Sequence, residues 1–461
     1  MKELTILNLD YQADSSDYFE RFCDQPWASF LDSCADSFNE QHSRYDIITS
    51  DPWAVVTVDG SGSITVNNRK TGQSTHHNGV SPFKVLSNLL SQMSEVQDTG
   101  LPFTGGALGY WGYELASLME PAKIQPREMN TPLMSVGLYH WALISDHASQ
   151  CTQLVFHPDM PASDRERILA LLDQTPDRKQ HTFRLRHKFS GTITADEYRV
   201  AFSKIQDYIL AGDCYEVNLT QEFTSSFEGD SWAAYKKLRS ISPAPYSAYL
   251  CYPDLQVLSH SPERFIRITD RHVETHPIKG TRPRGATPGE DKRNSEELLA
   301  SEKDQAENLM IVDLLRNDLG KICKTGSIKV PRLFGLESYA NVHHLVSTVT
   351  GELDKDHNVF DVMASAFPGG SITGAPKIRS MQIIRELETS ARNVYCGAVG
   401  YISCNGHMDT SITIRTMVAY DNRLHCWGGG AIVADSDCEQ EYQESVTKVR
   451  NLMSALEEFA V

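Results

Sequence analysis

The order of strand-like and helix-like segments is the feature that most constrains the fold of this chain. From Val217 to Val273 the sequence consists of short β-branched and aromatic runs, which predict strands. Further strands are predicted at 394–403, 410–419 and 423–433, and helices near 295–321, 376–388 and 438–459. This order lacks the regular strand–helix alternation of a doubly wound sheet, so it predicts an α+β fold.

Composition limits the classes of function. The formal net charge of -17 disfavours binding to nucleic acid or to an anionic membrane surface. The ten cysteines are scattered without a Cys-x-x-Cys pair, as in reduced thiols, so we expect a cytoplasmic location. Residues Met1 to Gln12 do not resemble a secretory signal, and no stretch has the apolar length of a membrane span.

Two lobes are predicted on either side of a polar stretch from Thr175 to Thr192. Residues 1–175, the N-terminal lobe, mix short apolar runs with turns. Residues 190–461 begin with a helix whose start is marked by the capping-box spacing of Thr194 and Glu197. The second lobe contains most of the candidate site residues.

Two helices carry carboxylates that could bind a metal ion. Glu307 lies beside Ile311 on a helical wheel, and the apolar residues from Ala306 to Leu315 predict a buried middle for this helix. A buried carboxylate needs a cation or strong hydrogen bonds, so Glu307 is either paired with a basic residue or a metal ligand. For Glu444, local spacing alone favours an exposed acidic face and an ion pair with Lys448.

Three further segments could hold an anion. The glycine-rich turn 367–377 opens onto a helix and is either a tight turn or an anion site. Arg415 is predicted to share a strand face with Ser411 and Thr413, where a guanidinium can clamp a carboxylate through two hydrogen bonds. At Gly428–Gly430, after the next strand, a ligand can approach the backbone closely.

Lys279 lies at the end of a predicted strand, in the segment Pro277-Ile278-Lys279-Gly280. A lysine flanked by proline and glycine at this place is expected to lie on a stiff segment. If its amine is partly desolvated, its pKa falls and the neutral form becomes nucleophilic. The local sequence alone favours the alternative, an ordinary exposed loop lysine.

Six motifs follow one another in an order that resembles the chorismate-binding enzymes. They are Ser-Pro-Glu-Arg-Phe at 261–265, Pro-Ile-Lys-Gly-Thr at 277–281, Ala-Glu-Asn-Leu-Met-Ile-Val-Asp-Leu-Leu-Arg-Asn-Asp at 306–318, Val-His-His-Leu-Val-Ser at 342–347, Phe-Pro-Gly-Gly-Ser-Ile-Thr-Gly-Ala-Pro-Lys at 367–377 and Thr-Ser-Ile-Thr-Ile-Arg-Thr at 410–416. The resemblance is strong over residues 195–455 and weaker before them. It implies two large packed antiparallel β-sheets with helices on the outside, and two lobes that share one core.

The resemblance also implies roles for individual residues. Glu307 and Glu444 match the magnesium ligands of the family, Glu263 matches its general acid, and His344 matches the histidine near the leaving hydroxyl. The positions that match the binding site for the other substrate carboxylate, or lie near it, are Gly280, Thr281, Tyr395, Arg415, Gly429 and Gly430.

The residue type at position 279 distinguishes the branches of the family. The lysine resembles members that aminate chorismate at C4, whereas anthranilate synthases carry alanine there. The implied activity is a Mg²⁺-dependent transferase reaction that gives 4-amino-4-deoxychorismate, for p-aminobenzoate and folate, through a covalent lysine intermediate. The sequence has no Gly-x-Cys-x-Gly nucleophile elbow, so ammonia is expected from a separate glutaminase subunit. The alternatives are an anthranilate synthase component I and a non-catalytic anion-binding module.

Two positions depart from the family pattern. Glu216 stands where many amine-using members carry glutamine and water-using members carry lysine, so no lysine is placed there to activate water. Ala431 replaces a glycine that is common at the end of the glycine-rich strand, which matters little if the substrate contact is through the backbone.

The N-terminal lobe resembles the region of anthranilate synthase in which tryptophan binds as a feedback inhibitor. The alternative is an ordinary packed core seam. The matching positions are Ser33, Ser43, Arg44, Tyr45, Pro245, Tyr246 and Ser247.

Overall fold

Short β-branched and aromatic runs form strands along most of the chain. The computed structural model describes residues 1–34, 44–120, 123–174, 182–339 and 342–460, and these contain 25 strands and 11 α-helices. The strands, numbered in chain order, are β1 (Thr5–Leu9), β2 (Ala28–Asp32), β3 (Tyr45–Thr49), β4 (Ala54–Val58), β5 (Ile64–Asn68), β6 (Gln73–His77), β7 (Gly106–Trp111), β8 (Met134–Tyr139), β9 (Trp141–Asp146), β10 (Cys151–Phe156), β11 (Phe183–Leu185), β12 (Ser190–Gly191), β13 (Glu216–Gly229), β14 (Tyr246–Cys251), β15 (Gln256–Ser261), β16 (Arg264–Thr269), β17 (His272–Thr275), β18 (Ile278–Pro283), β19 (Lys329–Ser338), β20 (Val342–Glu352), β21 (Gly374–Ala375), β22 (Ala398–Ser403), β23 (Met408–Ile412), β24 (Thr416–Tyr420) and β25 (Arg423–Ile432).

The helices lie between and after these strands. They are α1 (Ser16–Phe19), α2 (Pro82–Leu90), α3 (Ala116–Met119), α4 (Ala162–Asp173), α5 (Ala195–Leu210), α6 (Ser231–Ile241), α7 (Pro288–Ala300), α8 (Glu302–Gly320), α9 (Val359–Ala366), α10 (Lys377–Leu387) and α11 (Cys438–Glu457). The start of α5 is the predicted capping box, with reciprocal hydrogen bonds between Thr194 and Glu197. No helix in the described ranges is long and apolar enough to cross a membrane.

The strands form two large antiparallel sheets. Sheet A has the order β1-β10-β9-β3-β2-β14-β15-β24-β25-β13-β11, and β12 and β21 also pair with β13. Sheet B has the order β18-β20-β17-β16-β23-β22-β7-β8-β4-β5-β6, and β19 also pairs with β20. Both sheets contain strands from either side of the polar stretch, since β2 pairs with β14 and β7 with β22. The predicted α+β fold with two large antiparallel sheets is confirmed.

The central strands of sheet A are buried on both faces because they carry apolar residues at successive positions. On β3, Ile47 belongs to the core that the two sheets share, whereas Ile48 belongs to a second core on the opposite face. On β14, Ala248 and Tyr249 divide between the two cores in the same way. Helices such as α6 and α11 cover the second core, which fixes their position against the sheet.

The prediction of a helix near 295–321 is wrong in two respects. The segment forms two helices, α7 and α8, because Ser301 has an extended backbone and its side chain caps α8 by accepting a hydrogen bond from the Asp304 backbone. The middle of α8 is also less buried than its apolar content suggests. Ile311 is buried, but Leu309 is 45% exposed, so only one face of the helix packs against the protein.

The strand predicted at 410–419 is also wrong, because the chain leaves one sheet and enters the other within it. β23 belongs to sheet B and β24 to sheet A, and the residues between them are not in a strand. Arg415 has a φ of +50°, in the left-handed region, so it does not share a strand face with Ser411 and Thr413. The strand predicted at 394–403 begins only at Ala398.

A fully buried arginine ties the elements around the glycine-rich turn together. Arg392 is 1% exposed and donates to both carboxylate oxygens of Glu388, at 2.9 and 2.7 Å. It also donates to the backbone oxygens of Ile372, in the turn, and Asn218, on β13. The guanidinium therefore fixes the turn against sheet A, and its charge is neutralised by a buried carboxylate.

Replacing this arginine should destabilise the protein strongly. Arg392→Met leaves the Glu388 carboxylate buried without its cation, so we expect the free energy of unfolding to fall by about 3–5 kcal/mol. Arg316→Met is the matched control, because Arg316 and its partner Asp313 are both half-exposed, and it should change this quantity by less than about 1 kcal/mol. Urea denaturation of both variants tests this, and equal effects would contradict it.

Candidate active site

A cavity of about 640 Å³ opens where β18 and β20 of sheet B face β13 and β25 of sheet A, with α8 and α11 at its rim. Its size is typical of a small-molecule site. Most of the predicted site residues line it, namely Glu263, Lys279, Gly280, Thr281, Glu307, His344, Tyr395, Arg415, Gly429, Ala431 and Glu444. Two others do not line it: Glu216 contacts the lining residue Lys279, and Gly430 lies between the lining residues Gly429 and Ala431.

Lys279 reaches across the cavity from sheet B to sheet A. Its side chain is 10% exposed, and its Nζ donates to Oε1 of the fully buried Glu216 at 2.8 Å. Burial opposes the charged amine, but the carboxylates of Glu216 and Glu307 outweigh it and raise the pKa of Lys279. The local sequence favoured an exposed loop lysine, which is wrong, and the expectation that desolvation would lower the pKa is also wrong. Nothing in the local sequence indicated this carboxylate partner.

A β-bulge follows Lys279 and requires a glycine at the next position. The pairing of β18 with β20 shifts register between Lys279 and Thr281, and Gly280 has a φ of +78°. A Cβ at Gly280 would lie 2.9 Å from side-chain atoms of Asp304 on α8, so this position requires glycine on both grounds.

His344 is a buried, neutral histidine. Its Nδ1 lies 2.8 Å from Oγ1 of Thr281, and its Nε2 has no hydrogen-bond partner among the described residues. Burial and the guanidinium of Arg415 lower the pKa of His344 to about 3. At neutral pH its second nitrogen is thus available to hydrogen-bond a ligand.

Glu263 has the environment of a proton donor. It is 4% exposed, and Oγ of Ser371, in the glycine-rich turn, donates to its Oε1 at 2.8 Å. Burial raises the pKa of Glu263 to about 7, although the hydrogen bond from Ser371 acts in the opposite direction. This carboxyl can therefore hold a proton near neutral pH and release it to a reacting group.

Arg415 is a partly buried arginine that has no acidic partner among the described residues. Burial lowers its pKa, and no side-chain hydrogen bond or ion pair of Arg415 occurs within the described ranges. Tyr395 lies in the same wall and stacks on Trp427, with ring centroids 6.0 Å apart. An uncompensated cation in a cavity favours an anionic ligand, and a carboxylate fits its paired N–H groups.

The glycines of β25 bring α11 to the site. A Cβ at Gly428 would lie 2.0 Å from the backbone oxygen of Ser445, and one at Gly430 would lie 2.9 Å from Oε2 of Glu441. Gly430 therefore faces the helix, whereas Gly429 and Ala431 line the cavity. The close approach that glycine permits places two glutamates of the helix at the cavity rim.

Three carboxylates at this rim could hold a metal ion. Lys303 Nζ lies 3.9 Å from Oε1 of Glu307 and 3.9 Å from Oε1 of Glu441, so a cation already lies among them. Glu444 is half-exposed and pairs with Lys448 at 2.8 Å. Carboxylate oxygens at the edge of a cavity fit Mg²⁺, which binds few carboxylates and keeps sites for water and substrate.

Glu441 is a site residue that the sequence analysis missed. It is 5% exposed, accepts a hydrogen bond from Ser436 Oγ and lines the cavity. Its spacing of three residues from Glu444 puts both on one side of α11, which was the available signal. An acidic first turn of a helix is common, so the spacing alone did not distinguish it.

Comparison with known proteins agrees with this geometry. The sequence profile described as chorismate binding enzyme matches residues 38–454. The chain belongs to the chorismate-binding enzyme family. It is 41% identical to aminodeoxychorismate synthase component 1 of Escherichia coli (strain K12), over 99% of this chain and 100% of that protein. The corresponding protein of Salmonella typhimurium is 43% identical, with 98% of each chain covered.

A solved member of the family shares the fold. The crystal structure of anthranilate synthase component I from Streptococcus pneumoniae superposes with a TM-score of 0.78 at 29% identity, covering 89% of this chain and 92% of that one.

This chorismate-binding family member has a second cavity, of about 370 Å³, between the sheets. It is lined by six of the seven residues predicted to bind tryptophan, namely Ser33, Arg44, Tyr45, Pro245, Tyr246 and Ser247. Ser43 lies outside the described residues. Ser33 is held by two hydrogen bonds to Asp46 Oδ1, and the Arg44 guanidinium lies 4.7 Å from the ring centre of Tyr45. Pro245 lines both cavities.

The raised pKa of Glu263 can be measured directly. We expect its carboxyl to titrate near pH 7, and Ser371→Ala to move the midpoint higher, because the hydrogen bond that favours the carboxylate is lost. Difference infrared spectroscopy against Glu263→Gln isolates this signal. Ser295→Ala, on the exposed side of α7, is the control and should leave it in place. A midpoint near 4.5 would rule out this environment.

Proposed function

We propose that this protein replaces the C4 hydroxyl of chorismate with an amine, giving 4-amino-4-deoxychorismate for p-aminobenzoate and folate synthesis. The observation that carries the proposal is Lys279, which lines the same cavity as Arg415, a cation with no acidic partner among the described residues. The names of the relatives from Escherichia coli and Salmonella typhimurium support it. The words "component 1" in those names also support a separate subunit, a glutaminase that supplies ammonia.

Substrate binding follows from the charges in the cavity. Arg415 would take one carboxylate of chorismate through two hydrogen bonds, beside Tyr395 and the backbone of Gly429. Glu307 and Glu444 would hold Mg²⁺, with Glu441 next to them. When bound, Mg²⁺ offsets the charge of the other carboxylate and fixes the ring. These contacts would restrict the ring to one orientation, and the proposed attack requires the one with C2 towards Lys279.

The reaction would proceed through a covalent intermediate on Lys279. After losing its proton, the amine attacks C2 while both ring double bonds shift and the C4–O bond breaks. Glu263 protonates the departing oxygen, so that water leaves instead of hydroxide. His344 is neutral and can hydrogen-bond the same hydroxyl through Nε2. Ammonia then adds at C4 and expels the lysine, which divides one hindered displacement into two.

Product analysis tests the proposal against its nearest alternative. The protein with chorismate, Mg²⁺ and an ammonium salt should form 4-amino-4-deoxychorismate by mass spectrometry, and glutamine should not replace ammonium unless a glutaminase is added. Fluorescent anthranilate as the product would favour the other branch of the family instead. No consumption of chorismate would favour a non-catalytic anion-binding module.

Two variants test the proposed metal site. Glu307→Gln and Glu444→Gln each remove a charged oxygen donor, so we expect turnover at ordinary Mg²⁺ concentration to be lost while the fold is retained. Glu439→Gln, on the exposed first turn of the same helix as Glu444, should keep parental activity. Chorismate consumption and circular dichroism measure the two properties. Full activity of either site variant excludes the assignment.

The lysine intermediate predicts a mass change. With chorismate and Mg²⁺ but no ammonia, the parental protein should gain the mass of chorismate less one water, located at Lys279 by peptide mapping. Lys279→Ala should form no adduct and lose normal amination, because no amine reaches C2. Lys204→Ala, on α5 outside the cavity, is the control. Absence of the adduct, with amination retained in Lys279→Ala, would leave the lysine an electrostatic role only.

We also propose that the second cavity binds tryptophan. Its volume suits one amino acid with an aromatic side chain, and Pro245 joins its wall to that of the chorismate cavity. Denaturing the purified protein should release tryptophan, detectable by mass spectrometry. Ser247→Met, which fills the cavity, should reduce the amount, whereas Ser240→Met on the exposed side of α6 should not. No tryptophan from the parental protein would count against this.

A further inference from the structure

Glu216 has one carboxylate oxygen with no donor. Its side chain is fully buried at the start of β13, and Oε1 takes the hydrogen bond from Lys279. Oε2 is also buried and has no hydrogen-bond partner among the described residues. A buried, unpaired carboxylate oxygen is costly, and such oxygens in proteins normally meet a donor. The arrangement therefore fits a small ligand that donates hydrogen bonds.

The surroundings of Glu216 exclude most other sources of that donor. Ser380 on α10 donates to the backbone oxygen of Glu216, not to its carboxylate. Lys279 on β18 forms an ion pair with this carboxylate. The acid Glu307 on α8 also interacts with Glu216, and a second acid, Glu263, interacts with the same lysine. A ligand here must thus be cationic or neutral, and it must be small because the carboxylate is fully buried.

We propose that Glu216 is the ammonium site of the reaction: its carboxylate binds NH₄⁺ and takes one of its protons, delivering NH₃ beside the lysine adduct. This inference rests on the proposed function. The lysine head and ammonium have the same charge and the same kind of donor, so ammonium can pair with the carboxylate once the Lys279 nitrogen is bonded to C2. A glutamine at this position could bind ammonium but could not accept its proton.

The protons balance over one cycle. Lys279 first releases a proton to solvent and its electron pair bonds to C2, while Glu263 protonates the C4 oxygen, which leaves as water. Ammonium at Glu216 then gives its proton to the carboxylate, and the resulting NH₃ bonds to C4 as the C2–N bond breaks. Glu263 takes a proton from the new C4 ammonium group, and Glu216 returns its proton to Lys279. The sum is chorismate and NH₄⁺ giving aminodeoxychorismate, water and one proton.

The test measures how the half-saturating concentration of total ammonium depends on pH. In the parental protein it should change little from neutral pH to about pH 8.5, because ammonium itself is bound. In Glu216→Gln it should be at least about tenfold higher at neutral pH and fall about tenfold for each pH unit, because only free ammonia then reacts. Glu228→Gln, exposed at the far end of the same strand, is the control and should behave as the parental protein.

Formation of the lysine adduct without ammonia separates this inference from the proposed function. A Glu216→Gln protein that still forms the adduct, but with the changed ammonium dependence, supports the site. The same ammonium dependence as the parental protein overturns it, whether or not an adduct forms. If Glu216→Gln fails to fold, Glu216→Asp keeps the carboxylate, and it should retain the flat pH dependence with weaker ammonium binding. A steep dependence in Glu216→Asp also overturns the inference.

Discussion

The ion pair between Lys279 and Glu216 is the interaction around which the site is arranged. It joins the edge strand of sheet B to sheet A across the cavity, with both side chains removed from bulk water. Neither charge would be tolerated there alone, because an unpaired buried ion loses its hydration without compensation. The pair therefore sets the position of the amine, and it also keeps the amine protonated in the absence of substrate.

The close approach of helices to the backbone of the strands determines the rest of the site's geometry. Glycines on β25 let α11 lie directly on sheet A, and a bulge at Gly280 lets α8 approach β18. These two helices carry the carboxylates of the rim, so the glycines act on the site without contacting a ligand through a side chain. A methyl group at Gly430 would press on Glu441, which explains why this part of the strand has almost no side chains.

The sequence was sufficient where the signal was local or part of a long motif. The capping box of α5, the order of strands and helices, and the clustering of the motif residues in one cavity all followed from it. Prediction from the sequence failed where the position of a residue depends on contacts with residues that are distant in the chain. Nothing near Lys279 in sequence indicates Glu216, 63 residues away. Likewise, a pattern of alternating residues cannot show that the chain changes sheets before Arg415.

The charges of the cavity determine how a dianion can bind there. Lys279 is already paired with Glu216, so under the proposed function Arg415, which has no acidic partner among the described residues, would take one carboxylate of chorismate. The rim formed by α8 and α11 is acidic, because it carries three glutamates, Glu307, Glu441 and Glu444, against two lysines, Lys303 and Lys448. A second carboxylate placed there would be repelled. Under the proposed function, a divalent cation held by these glutamates is therefore required for substrate binding as well as for catalysis, because only such an ion reverses the charge of that rim.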